Sequence, residues 1–285
     1  MDIISKLRKI YRKFIHLPWV DKLIYVILDA LTNIYAHSAK FYFPKNYIRK
    51  WKLNMLWGKY EPETYKLFKH IVKSGMVVID IGTHIGYFTR LFSKLTKQGG
   101  LVYALEADPE NFSLLQKNTA HLKNVCAIKI AVTDKKGEIN FYRSEKTGCH
   151  STIPNTEQQK EVITVLATDL DSLLLDTEQI SKIDLIKMDI EGGEMAALRG
   201  MKKIIGANPE IALVVEFNPG CLKMAKVIPT DFIKTLRDLG FKIFSIQSKD
   251  LIEIGPQENF PEKYLLPGAT FVNLYCVKGS VQERS

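Results

Sequence analysis

The chain has 285 residues, with 40 Lys and Arg against 31 Asp and Glu, a net charge of +9. That is enough chain to bury a full core in one large domain with an appendage, and its apolar and charged fractions are those of a soluble globular protein. Residues 1–52 hold 11 of the basic residues and three acids, a net of +8, which leaves +1 for the other 233 and argues against a basic nucleic-acid channel across the body.

The four cysteines, Cys126, Cys149, Cys221 and Cys276, are far apart and form no Cys-x-x-Cys pair. The expectation is free thiols in a reducing compartment and no zinc site, hence a cytoplasmic protein. The N-terminus has no uninterrupted apolar stretch that would read as a secretory signal. Residues 20–36 are apolar but broken by Asp21, Lys22 and Asp29, too short and too charged to span a bilayer.

In chain order, residues 3–17 read as an amphipathic helix. Ile3, Leu7, Ile10 and Phe14 recur at helical spacing opposite Lys6, Arg8, Lys9, Arg12 and Lys13, and Pro18 ends it. A second helical pattern covers about 21–39. Residues 1–59 therefore form a basic helical extension. Its helices either pack on the body or make a peripheral contact, through residues 1–17, with an anionic inner membrane surface.

From residue 60 to about 280 strands and helices alternate. Strands are expected at 76–82, 101–107, 126–132, 139–143, 162–166, 183–189, 211–217, 242–247 and 271–277. Helices are expected at 62–73, 87–96, 111–121, 169–175, 194–205 and 230–239. Such alternation implies an α/β fold with a parallel sheet covered on both faces. The last two strands are joined by a non-helical loop, 248–270, which fits an antiparallel final strand.

The most informative segment is Met-Val-Val-Ile-Asp-Ile-Gly-Thr-His-Ile-Gly-Tyr-Phe-Thr, residues 76–89. A β-branched strand ends at Asp80, then Gly82 and Gly86 lead into a helix, the layout of a nucleotide-like cofactor site. A dinucleotide fingerprint needs a middle glycine, and His84 stands there. No Lys or Arg lies between 80 and 89 to meet a phosphate. A carboxylate there suits a ligand with an ammonium group and no phosphate, such as S-adenosylmethionine (AdoMet). Glu106, 24 residues past Gly82, ends the next strand where the acid that holds ribose hydroxyls is expected.

At this point the chain resembles the FkbM-like family of class I AdoMet-dependent methyltransferases. The matching segments are 80–89, Glu-Ala-Asp-Pro-Glu-Asn-Phe (106–112), Ala-Val-Thr-Asp-Lys-Lys-Gly (131–137), Thr-Asp-Leu-Asp-Ser-Leu (168–173), Ile-Asp-Leu-Ile-Lys-Met-Asp-Ile-Glu-Gly-Gly-Glu (183–194) and Val-Val-Glu-Phe-Asn-Pro (214–219). They occur in family order over about 60–250. The resemblance implies a Rossmann-like, mostly parallel seven-stranded sheet with an antiparallel last strand, and O-methylation, often of sugars or metabolite hydroxyls. Ala107 stands where a proline is common, and Asn218 where a histidine is expected.

The cofactor-side residues are then Asp80, Gly82, His84, Gly86, Glu106 and Ala107, with Ala131 and Val132 flanking the adenine. Asp108 and Asn111 either line the adenine side or cap the next helix. An alcohol needs a base or a metal to lower its pKa. Asp189, at the carboxyl edge of the sheet, and His150, in a polar loop with Ser151, are the candidate catalytic residues. Glu191, Glu194, Glu216 and Asn218 stand on the acceptor side. These carboxylates could face the sulfonium or hold Mg²⁺, and Glu191 and Glu194 could instead complement a helix N-terminus. Two other functions compete: a nucleic-acid methyltransferase recruited by the basic N-terminus, and a membrane-associated AdoMet-binding module without catalysis.

Overall fold

The computed structural model describes residues 18–45, 47–144, 150–154, 159–246, 251–255 and 269–279. The expected basic helix at 3–17 lies outside the described residues. Helix α1 (Pro18–Ser38) opens with a proline at its first turn, where the missing N–H costs nothing, so Pro18 begins a helix here. Helix α2 (Arg49–Leu56) follows, then α3 (Pro62–Ile71).

The strands of the body are β1 (Val77–Ile81), β2 (Leu101–Glu106), β3 (Val125–Lys129), β4 (Ala131–Val132), β5 (Gly137–Ser144), β6 (Gln159–Thr168), β7 (Leu185–Met188), β8 (Ala212–Phe217), β9 (Lys242–Ile246), β10 (Leu251–Glu253) and β11 (Val272–Val277). Between them lie α4 (Tyr87–Thr96), α5 (Pro109–Thr119), a π-helical turn (Ser172–Thr177), α6 (Glu194–Arg199), α7 (Lys202–Ala207), α8 (Pro219–Met224) and α9 (Pro229–Asp238).

The main sheet runs β10-β9-β11-β8-β7-β1-β2-β3. From β3 to β8 it is parallel, and β11 is inserted antiparallel between β8 and β9. The sheet has eight strands, not seven. The short segment Leu251–Glu253 folds back on β9 as an antiparallel edge strand, inside what the sequence suggested was a loop. A second sheet, β4-β6-β5, stands beside the first. Two expected helices also differ. The helix expected at 169–175 is a π-helical turn, and the one at 194–205 breaks at Gly200, where a Cβ would meet the Thr133 carbonyl oxygen at 2.1 Å.

Strands β1, β2 and β7 are buried almost throughout, as expected of a parallel sheet covered on both faces. Alternate side chains enter two apolar clusters. Ile79, Ile81, Leu105 and Phe232 share one; Val78, Phe88, Phe92 and Val214 share the other. Phe41, Tyr47 and Met55, from the segments before the body, belong to the second cluster. The chain after α1 is held by Arg90, which donates to the Ala39 and Lys40 carbonyls and lies over the Phe41 ring. Because β1, β2, β7 and β8 are parallel, their carboxyl ends bring Gly82, Glu106, Asp189 and Glu216 to one edge.

Phe68 is fully buried and packs edge-on against Phe88 and Phe92, at 5.2 and 4.6 Å between ring centroids. Phe68→Ala should cost roughly 3–5 kcal/mol of stability. Urea unfolding measures it, and an unchanged midpoint would contradict the packing described.

Candidate active site

The cleft lies along the carboxyl edge of the sheet and holds about 730 Å³ of empty space, part of it open to solvent. The glycine loop forms its floor. Gly82 has a φ of +73°, and a Cβ there would sit 1.9 Å from the Asp189 carbonyl oxygen, so only glycine fits where the two loops cross. Gly86 caps α4 in the left-handed region, and a Cβ there would meet Leu115 at 2.8 Å.

Beneath this loop is a buried ammonium. Lys187 sits in β7 opposite Asp80 in β1. Its Nζ lies 3.3 Å from Asp189 Oδ2, 3.9 Å from Asp80 Oδ1 and 3.2 Å from the Gly82 carbonyl, to which it donates. Burial pulls the Lys187 pKa down, but Asp189, Asp80 and Glu61 together outweigh it and leave the pKa raised. Asp80 is fully buried and does not line the cleft. Thr89 Oγ1 donates to its Oδ2 at 2.6 Å, so it stands behind the glycine loop and braces it.

Glu106 does line the cleft. Its two oxygens accept the His84 and Asp108 backbone N–H groups at 2.8 and 2.9 Å. Burial nevertheless pushes its carboxyl up to about 7, against the pull of those two bonds. Each oxygen keeps a second lone pair for a ligand hydroxyl. Ala107, Asn111, Ala131 and Val132 line the same side, with Ile130 and Phe141. Asp108 does not: it caps α5, accepting from Glu110 and Asn111, and pairs with Arg143 at 2.7 Å.

His84 lines the cleft at a φ of +53°, with its ring 6.0 Å from Tyr47. Its Nε2 is buried without a hydrogen-bond partner among the described residues. Burial, then His150 and Lys187, pull its pKa down to about 3, so the ring is neutral at ordinary pH. His150 also lines the cleft, and its Nδ1 accepts the Ser144 N–H at 2.9 Å. That bond assigns the proton to Nε2, so the ring offers a donor rather than a base. Ser151 Oγ donates to the Glu191 carbonyl, which positions the loop.

Asp189 and Glu191 line the cleft. With Glu216 they form a cluster whose oxygens lie within 4.8 Å of one another, a donor set suited to a hard cation or to several hydroxyl groups. Glu194 is turned inward, accepting the Ile190 and Gly192 N–H groups; it closes its own loop and does not reach the cleft. Asn218 caps α8 through bonds from Gly220 and Cys221. Tyr60 and Thr152, not singled out from the sequence, also line the site.

Among the described residues the lining includes three acids, Glu106, Asp189 and Glu191, and no Lys or Arg. Such a cleft suits a ligand that carries positive charge and hydroxyls and lacks phosphate. AdoMet fits that description. Glu106 would hold its ribose hydroxyls, the apolar residues around Val132 its adenine, and the acidic side its cationic methionine part.

The sequence comparisons agree with this reading. Residues 80–243 match the methyltransferase FkbM domain. The hexuronic acid methyltransferase AglP of Haloferax volcanii is 25% identical over 214 residues, covering 73% of this chain and 81% of that one. Methyltransferase 1 of Beauveria bassiana is 26% identical over 145 residues, 44% of this chain and 57% of that protein. Among solved structures, a SAM-dependent methyltransferase from Aquifex aeolicus aligns with a TM-score of 0.42 at 17% identity, covering 75% of this chain and 88% of its own.

Two outcomes test the electrostatics. Lys187→Met strands two carboxylates and should cost roughly 3–5 kcal/mol; unchanged urea stability would contradict the brace. Burial, then repulsion from Asp189, raises Glu61 from 4.5 to about 7. A carboxyl raised in this way keeps a proton in the folded chain that the unfolded chain has lost. Its contribution to stability therefore declines as pH rises from about 4.5 to about 7. Relative to Glu61→Gln, the native chain should lose stability across that window, and a gain would refute the assignment.

Proposed function

We propose that this chain, which belongs to the FkbM methyltransferase family, transfers the methyl group of AdoMet to a hydroxyl of a sugar or glycan. Bound AdoMet supplies an electrophilic methyl carbon on a sulfonium. The chain's own residues must then bring a hydroxyl in line and remove its proton. The observation that carries the reading is the Asp189, Glu191 and Glu216 cluster beside an acidic cleft. Carboxylates accept hydrogen bonds from several hydroxyls at once, as a polyol requires.

Asp189 is the base we assign. It follows β7 directly, at the cleft, held by Lys187 and still 30% exposed. His150 donates to the acceptor oxygen. The cluster favours an acceptor that is neutral near the reacting hydroxyl. Burial, then Asp189 and Glu191, raises the Glu216 carboxyl well above its usual range, and a further negative charge would add to that repulsion. The relative AglP is named for hexuronic acid. A uronic acid would enter here only with a divalent cation on the three carboxylates, or with its own carboxylate turned away.

The test is a panel of neutral sugars and uronic acids incubated with methyl-labelled AdoMet, with and without EDTA, and read by mass spectrometry of the product linkage. The proposal expects a methyl ether. A methylated amine or nucleic acid as the sole product overturns it, and loss of turnover in EDTA assigns the cluster to a metal. Asp189→Asn should lower turnover by roughly 10²–10⁴-fold, a larger loss than any weakening of AdoMet binding. Unchanged turnover would demote Asp189 to a strand end.

A further inference from the structure

Helix α1 leaves an apolar face exposed, where a water-facing surface helix would present charged and polar residues. Three of its polar residues, Asp29, Thr32 and Asn33, lie on the side that meets α2. The Lys52 ammonium, buried on α2, reaches Asp29 at 3.5 Å and Asn33 Oδ1 at 2.9 Å, and Thr32 and Ala36 beside them are buried. The opposite side is apolar, and its residues are exposed. Leu23, Ile27, Leu31 and Ile34 follow one another at intervals of four, four and three residues, so they form a single stripe. They are 51, 49, 57 and 67% exposed. Ile24, Leu28 and Tyr35 widen the stripe and are also exposed. The orientation is fixed: besides the Lys52 contacts, Arg49 on α2 donates to the Tyr25 carbonyl and lies over its ring at 4.5 Å.

We infer that this face is a docking surface for an anionic lipid bilayer, on which α1 lies in the plane of the membrane. Charge complementarity selects that occupant. Residues 1–52 carry a net +8, and the described part of that segment exposes Lys22, Lys40, Lys45 and Lys50 around α1 and α2. Trp51 and Trp57, at 39 and 55% exposure, present the amphipathic rings that favour a headgroup layer. A second copy of the chain is a poor fit, because pairing through α1 would bring two segments of +8 together. Insertion across the bilayer does not apply to α1: among the described residues no helix is long and apolar enough to cross. Apolar contact and basic charge together suffice for reversible binding.

The docked orientation has a consequence for the cleft. Tyr47, in the segment that joins α1 to α2, contacts the His84 ring. The catalytic cleft would therefore lie close to the membrane surface, able to act on acceptors held there.

The experiment uses the full-length chain and vesicles of phosphatidylglycerol and phosphatidylcholine, with pure phosphatidylcholine as control. The native chain should sediment with the anionic vesicles and be released by salt. The double variant Leu31→Glu/Ile34→Glu, at two exposed positions, should sediment at least about tenfold less, with AdoMet affinity by calorimetry unchanged. A native chain that stays in solution with anionic vesicles overturns the inference. Equal sedimentation of native chain and variant also overturns it. A dimer in light scattering that the variant splits, without vesicle binding, assigns the face to a second copy instead.

Discussion

One buried ammonium group organises the catalytic edge of this protein. Lys187 is placed by β7 under the glycine loop, where it meets Asp80 from β1, Asp189 from its own strand end and the Gly82 carbonyl. Without it, the fully buried Asp80 would have no cation beside it and a second carboxylate, Asp189, nearby, which favours taking up a proton. With it, the ends of two adjacent parallel strands are tied at a fixed spacing. The loop that leaves β1 is thereby held against the loop that leaves β7, so closely that Gly82 has no room for a Cβ beside the Asp189 carbonyl.

The charge of the cleft follows from this arrangement. Lys187 lies beneath the floor, so the described residues of the lining offer acids and no cations. A dinucleotide or phosphate ligand would meet repulsion there, and a sulfonium with an ammonium group meets attraction. The carboxylates divide by depth. Glu106 is fixed by two backbone N–H groups and keeps lone pairs for a ligand, and Glu194 is consumed by its own loop. Asp189, Glu191 and Glu216 remain clustered together. Both Glu106 and Glu194 are held by two backbone donors, and what separates them is that Glu106 faces the cleft and Glu194 does not.

Much of this was legible in the sequence because the signals are local. The strand, glycine turn and helix at 76–89, the acid at the end of β2 and the antiparallel last strand all rest on patterns within one or two elements. The position of Asp80 was not legible. Its burial depends on the register that sets it beside Lys187, a contact 107 positions away. A signal did exist, since a single lysine inside the apolar run Leu185–Met188, two residues before Asp189, must find an internal partner. The extra strand β10 was missed because three residues that pair at an edge carry little periodicity. The direction in which α1 faces was hidden for another reason. Its polar side is satisfied by Lys52 from a different helix, and helical spacing alone does not say which face turns inward.

Membership of the FkbM family and the acidic cleft converge on AdoMet as the cofactor of a methyltransferase. The most direct test is calorimetric titration of the purified full-length chain with AdoMet and, separately, with NAD. Saturable, one-to-one heat with AdoMet and none with NAD is the predicted result. Heat with NAD and none with AdoMet would contradict the account.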